Sequence, residues 1–312
     1  MPLQVIPVRA PGAEDVVVAL SGPDEGCVFT GTADGLVHRV SPDGSRVERV
    51  ADTGGRPLGL EWMPDGRLLV CDAHRGLLTV DPRGGAVEVL TTEVDGVPMV
   101  FCNNAAIASD GSVWFSDSST VHPIERWKSD IVELTRTGRL LRRSEDGTVE
   151  VVLDGLAFAN GVALAADESW VAVAETATRT VARHWITGER AGQRDLFLAD
   201  LPGFPDNIAR GSDGLLWVTI ASPRDPLVER LQSGPMWVRR AITKLPAALQ
   251  PAPKRTIRVQ AFDDAGVLVH DVSVERPEDV ARYHVVTGVR EHDGRVWMGS
   301  LEEPAVAVVG LP

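Results

Sequence analysis

"FCNNAAIASDGSVWFSDSS", residues 101–119, reads as a strand, a tight turn at Asp110-Gly111 and a second strand. An Asp-Gly pair supplies the positive φ angles a hairpin needs, and the apolar runs on either side supply the strands. The same unit returns as "PDGRLLVCDAHRGLLTVDPRGGAVEVL" (64–90), "ADESWVAVAETATRTVARHWI" (166–186), "SDGLLWVTIAS" (212–222) and "HDGRVWMGSL" (292–301), and earlier as "GCVFTGTADGLVHRVSPDGSRVERV" (26–50). Taking Gly22, Gly66, Gly111, Glu168, Gly214 and Gly294 as the turns, the steps are 44, 45, 57, 46 and 80 residues. Six such repeats predict an all-β, six-bladed β-propeller, with four strands to a blade around a channel.

The two long steps place insertions at residues 120–137 and 223–256. The second carries Leu227, Leu231, Met236, Ile242 and Leu245, a spacing that predicts one or two short helices broken near Gly234-Pro235 and lying over one face. The last repeat is short, so "LQVIPV" (3–8) is expected to complete its sheet, because an open propeller would leave two unpaired edges. One domain would then span residues 1–312.

Four repeats carry an oxygen-bearing residue eight positions before the turn: Glu14, Asn103, Asn160 and Asp206. A constant phase in a radial fold brings equivalent side chains together at the axis. Two carboxylates and two amides form a hard-oxygen set suited to one axial Ca²⁺. The other two equivalent positions are Leu58 and Val286, apolar sectors where a substrate would lie. Asn104 and Asn207, next to candidate ligands, are candidate hydrogen-bond donors to a substrate oxygen. From the first insertion, His122 and Trp127 would overhang the channel as proton shuttle and apolar wall.

Composition narrows the partners. With 44% hydrophobic and 24% charged residues, 30 Gly and 21 Pro, the chain has ample core and many turns. A net charge of −13 disfavours nucleic acid, whose binding rests on cationic neutralisation of phosphates. There is no apolar leader at the start and no run long enough to span a bilayer, which reads as a soluble, cytoplasmic chain acting on a small molecule. Cys27, Cys71 and Cys102 lack metal or disulfide spacing and are expected to be buried free thiols. No nucleophile elbow, Walker loop or dinucleotide fingerprint offers other catalytic machinery.

Taken in order, "FCNNAAIASDGSVWFSDSS", "GRLLRR", "FANGVALAADESWVAVAET", "GFPDNIARGSDGLLWV" and "REHDGRVWMGSL" resemble the strictosidine synthase-like branch of the senescence marker protein/gluconolactonase superfamily, which are six-bladed calcium propellers. The resemblance covers nearly the full chain and implies metal ligands at Glu14, Asn103, Asn160 and Asp206, the four that the spacing selects. Two positions depart from it. Asn104 stands where many relatives have Asp, and Thr287, four residues before Glu291, stands where plant strictosidine synthases carry a catalytic glutamate. Thr287, a candidate substrate contact, cannot deprotonate carbon, which argues against that condensation. The resemblance therefore points to a calcium-dependent lactonase or esterase, with Asp206 as ligand and as general base or nucleophile. A condensing or cyclising enzyme of secondary metabolism and a non-enzymatic small-molecule-binding propeller with structural calcium remain as alternatives.

Overall fold

The computed structural model describes residues 2–311. Its strands form six four-stranded antiparallel sheets, with one two-stranded ribbon between the second and third. The innermost strands of the blades are, in chain order, Val17–Val18, Pro57–Trp62, Cys102–Ile107, Ala159–Leu164, Gly203–Arg210 and Val286–His292. Each touches the next, and the first also touches the last, so the ring is closed. The predicted propeller is the observed fold.

Blades pack face to face, so their middle strands are buried on both sides: Leu68–Asp72 and Trp170–Glu175 have no exposed residue. This is why these strands read as near-continuous apolar runs rather than clean alternations. Between the third and fourth blades, Trp114, Leu140, Leu156, Val162, Val171 and Val173 form one such layer. Burial of each large apolar side chain contributes about 1.5–3 kcal/mol. Closure is by the N-terminus: Gln4–Pro7 pairs antiparallel with Ala305–Gly310, from Gln4 opposite Val308 to Pro7 opposite Ala305. Ile6 and Val8 then enter the layer shared with Val28, Val40, Trp297 and Val306.

The first insertion contains a 3₁₀ turn at Ile124–Arg126 and helix α1, Trp127–Glu133. The second contains α2, Pro226–Gln232, and α3, Met236–Ile242, separated at Ser233–Pro235 as the sequence predicts. Asp225 caps α2 by accepting from the Leu227 amide at 2.9 Å, with Pro226 at the first helical position. The three helices pack on one another. Gln232 Nε2 donates to the Ile131 carbonyl at 2.8 Å and Arg239 Nη1 to the Glu133 carbonyl at 2.8 Å, both helix to helix within this cap, while a second bond from Gln232 Nε2 to the Ala177 carbonyl at 3.1 Å ties it to the fourth blade. Helix α4, Pro277–Arg282, and the ribbon Glu93–Val94/Val97–Pro98 were not foreseen from the repeat. Cys71 and Cys102 are buried free thiols, whereas Cys27 is only half-buried.

Candidate functional site

Five inner strands break register at one place. The pairing skips between Pro57 and Leu60, Cys102 and Ala105, Ala159 and Val162, Pro205 and Ile208, and Val286 and Val289. Each bulge leaves two residues opposite fewer partners and re-aims the first of them. The pairs are Leu58-Gly59, Asn103-Asn104, Asn160-Gly161, Asp206-Asn207 and Thr287-Gly288. The second member lies against the neighbouring blade. A Cβ on Gly161 would stand 2.1 Å from the Ile208 nitrogen, so only glycine fits there. Asn104 and Asn207 instead reach across: Asn104 Nδ2 donates to Asp15 Oδ2 at 3.3 Å while its Oδ1 accepts from the Val162 amide at 2.9 Å, and Asn207 Nδ2 donates to Glu14 Oε1 at 3.1 Å.

The first members converge on the channel. Glu14, Leu58, Asn103, Asn160, Asp206 and Thr287 together line the floor of a cavity of about 90 Å³. For three of the five bulges, placement starts with a buried carboxylate at the end of the second strand, which fixes the chain just before the bulge. Asp72 accepts from the Arg56 amide, Asp117 from the Phe101 amide and Glu175 from the Ala157 amide, all at 2.9 Å. Arg139 Nη2 compensates Asp117 at 2.6 Å.

The amides have a defined orientation. Asn103 Nδ2 donates to Ser118 Oγ at 2.9 Å and Asn160 Nδ2 to Thr176 Oγ1 at 3.2 Å. With each NH₂ engaged by a hydroxyl, the carbonyl end faces away from it. Asn103 Oδ1, Asn160 Oδ1 and Glu14 Oε2 are buried acceptors without a hydrogen-bond partner. Leaving three such oxygens unpaired costs about 1–3 kcal/mol each, so their convergence calls for an electrophile. A hard cation fits this set of two carboxylates and two amide oxygens. Among the described residues, no three His, Cys, Asp or Glu side chains group together, which makes the amides integral to any metal site.

Electrostatics agree. Burial pushes the Glu14 carboxyl well above the usual range, and the charges of Asp206 and Asp15 push it further. Burial raises Asp206 to about 7, opposed by a hydrogen bond with Asn160. Asp15 rises to about 7 for the same first reason, with Arg290 opposing. Burial is the largest cause for all three carboxyls, and the nearby guanidinium groups of Arg56 and Arg290 offset it only in part.

Above the floor the cavity is apolar. Phe101, Phe158 and Phe204 stand two residues before Asn103, Asn160 and Asp206, and Val285 two before Thr287. Phe101 and Phe158 meet edge to face with ring centroids 5.3 Å apart. Trp127, Ile131 and Val132 come from the first insertion, and Val228 and Pro251–Pro253 from the second.

Four expected residues fall elsewhere. Val286 lies in the layer between blades, and Thr287 takes the axial place assigned to it. The reason is the last hairpin, where His292 pairs with Arg295 across Asp293-Gly294, whereas Ile107 pairs with Val113 across a longer loop. Counting eight residues back from the shorter turn therefore lands one residue early. His122 does not line the cavity. It is buried beside α1, with Nε2 3.4 Å from Glu133 Oε2. Asn104 and Asn207 sit in the cross-blade layer below the floor. Trp127 lines the cavity as expected. The orienting hydroxyls and the aromatic tier were missed, although "FCN", "FAN" and "FPD" before the bulges, and Asp117-Ser118 and Glu175-Thr176 after the second strands, signal both.

Comparison with known proteins agrees with this frame. The family model for the SMP-30/gluconolactonase/LRE-like region matches residues 24–233. The protein strictosidine synthase-like 10 of Arabidopsis thaliana is 34% identical over 295 residues, covering 91% of this chain and 76% of the plant protein. A gluconolactonase of Xanthomonas campestris superposes with a TM-score of 0.71 at 17% identity, covering 99% of this chain and 89% of that one. The calcium-binding protein regucalcin of Agrobacterium tumefaciens does so with a TM-score of 0.67 at 12% identity, covering 98% and 91%. These two solved structures share the fold. By the span of the family match and by its plant relative, the chain belongs to the SMP-30/gluconolactonase/LRE-like family.

Proposed function

We propose that the protein is a calcium-dependent hydrolase of the lactonase or esterase type, acting on a small, largely apolar substrate in the axial cavity. One observation carries the reading: the unpaired oxygens of Glu14, Asn103 and Asn160 meet Asp206 beneath an aromatic wall. Those four residues would hold the ion, which when bound supplies Lewis-acid polarisation of a carbonyl oxygen. The calcium binding named for regucalcin and the lactonase named for the Xanthomonas protein support the same reading by likeness.

The chain's own residues do the rest. Asp206 is the candidate general base, since its carboxylate borders the cavity and can accept the proton of an attacking water. Phe101, Phe158, Phe204 and Trp127 would hold the apolar part of the substrate and exclude bulk water. Thr287 is no substitute base. Its hydroxyl already donates to the Glu14 carbonyl at 2.8 Å, which weakens the alternative of a carbon–carbon condensing enzyme.

A screen of lactones, aryl esters and phosphotriesters, with calcium and with chelator, tests the proposal. Hydrolysis should disappear on chelation, and Asp206→Ala should lower kcat/KM by about 10²–10⁴. Turnover that survives complete calcium removal would overturn it.

A further inference from the structure

The cap has two faces of different chemistry. Its inner side, through Val228 and Pro251–Pro253, closes the apolar cavity. Its outer side exposes Leu227 at 54%, Trp237 at 74% and Leu249 at 67%. On α3 the exposed residues Trp237, Arg240 and Ala241 follow helical spacing and form one stripe, with exposed Lys244 just past the helix end, and on α2 Leu227 and Arg230 do the same. An indole this bare is not explained by packing within the chain.

Charge separates this surface from the rest of the molecule. Residues 223–256 hold seven Lys or Arg against two Asp or Glu, a net +5 in a chain of −13. Both acids are already engaged, Asp225 near Lys254 and Glu229 with Arg179 and Arg224. Arg230, Lys244 and Arg255 are exposed and make no ion pair among the described residues. Cations interleaved with Trp and Leu match a surface that is anionic outside and apolar just beneath, where an indole sits at the boundary and Arg and Lys reach the headgroups.

We propose that the outer face of the cap, built on Leu227, Arg230, Trp237, Lys244 and Leu249, docks onto an anionic lipid surface. Docking would set the cavity's cover against a reservoir of apolar molecules, while the acidic remainder of the chain is repelled from the same surface. The inference goes beyond the proposed hydrolysis and does not depend on it, because the binding assay involves no turnover.

The test is co-flotation of the purified full chain with vesicles of phosphatidylcholine mixed with phosphatidylserine, and with vesicles of phosphatidylcholine alone. Binding is expected to the mixed vesicles only, weakening as salt is raised. Each basic residue near an anionic surface is worth about fivefold, so Arg230→Glu with Lys244→Glu should reduce partitioning by at least about 25-fold. Addition of mixed vesicles should shift tryptophan emission to the blue in the unmodified chain and much less in Trp237→Phe. None of these side chains lines the cavity or carries a buried hydrogen bond, so melting temperatures of the variants should match the parent and exclude misfolding as the cause. No flotation with mixed vesicles, or flotation unaffected by these substitutions, would overturn the proposal. Binding to polyglutamate as strong as to vesicles, without the blue shift, would also overturn it and point to an acidic protein instead.

Discussion

Asn103 and Asn160 carry no charge, yet their oxygens are among the unpaired acceptors at the axial cavity. Ser118 and Thr176 engage their NH₂ groups and leave the carbonyl oxygens bare, in company with Glu14 and Asp206. Without a cation this arrangement resists ionisation, and stability in chelator should show it. Asp206 and Asp15 stand at about 7 against an ordinary 3.8, and Glu14 is also raised. Below about pH 4 both native and unfolded chains are protonated there, and the contribution of these groups to stability is at its fullest. As pH rises through 7 the native state must give up protons that the unfolded chain lost earlier, so stability falls. Asp195, held at about 2 chiefly by hydrogen bonds from Arg183, has the opposite sign but acts only near pH 2–4. The melting temperature in chelator should therefore be several degrees higher at pH 5 than at pH 8. Calcium at about 100 times its dissociation constant should restore about 2.7 kcal/mol at pH 8. A flat or rising profile between these pH values, measured by calorimetry, would remove the electrostatic account of the site.

At the scale of the element, the recurring device is a bulge held by a carboxylate from the neighbouring strand. Asp117 shows it most fully, joining the Phe101 amide to the Arg139 guanidinium with no exposure of its own. Removing one partner of a buried pair leaves the other charge uncompensated, at about 3–5 kcal/mol. Asp117→Ala should lose roughly that much in denaturant unfolding and also weaken calcium binding, because the strand start carrying Asn103 is released. Full stability and affinity in this variant would show that the bulge is held by packing alone. The spacing of bulge and turn also accounts for where the count of eight lands. The third, fourth and fifth blades run from bulge to turn over the same number of residues, so a count of eight found Asn103, Asn160 and Asp206 in one phase; Glu14 shares the count although its strand, Val17–Val18, is shorter and its hairpin longer. The sixth blade has a tighter hairpin, and the count placed Val286 where Thr287 stands.

For the whole molecule, closure by residues 4–7 makes the two ends of the chain interdependent. Ring closure and continuous layers between blades lead us to expect one cooperative unfolding transition over residues 1–312. Deletion of residues 1–8 should lower the melting temperature and promote self-association, since Ala305–Gly310 would become a bare edge. A monomeric truncation with unchanged melting would refute this. The repeat, the blade number, the closing strand and the capping insertions follow from local patterns, because turn chemistry and strand composition act over a few residues and recur along the chain. The sequence by itself also picked out four oxygen-bearing side chains that line the cavity, and for Asn103, Asn160 and Asp206 the phase survives because their hairpins are alike. Only the tertiary structure decided which way each side chain faces. The fate of His122 beside Glu133, of Asn104 and Asn207 across blades, and of the Asn103 and Asn160 amides depends on partners 11 to 193 residues away. The cross-blade bonds of Asn104 and Asn207 exist only once the ring has closed, whereas those of Asn103, Asn160 and His122 need the hairpin or insertion around them to fold first.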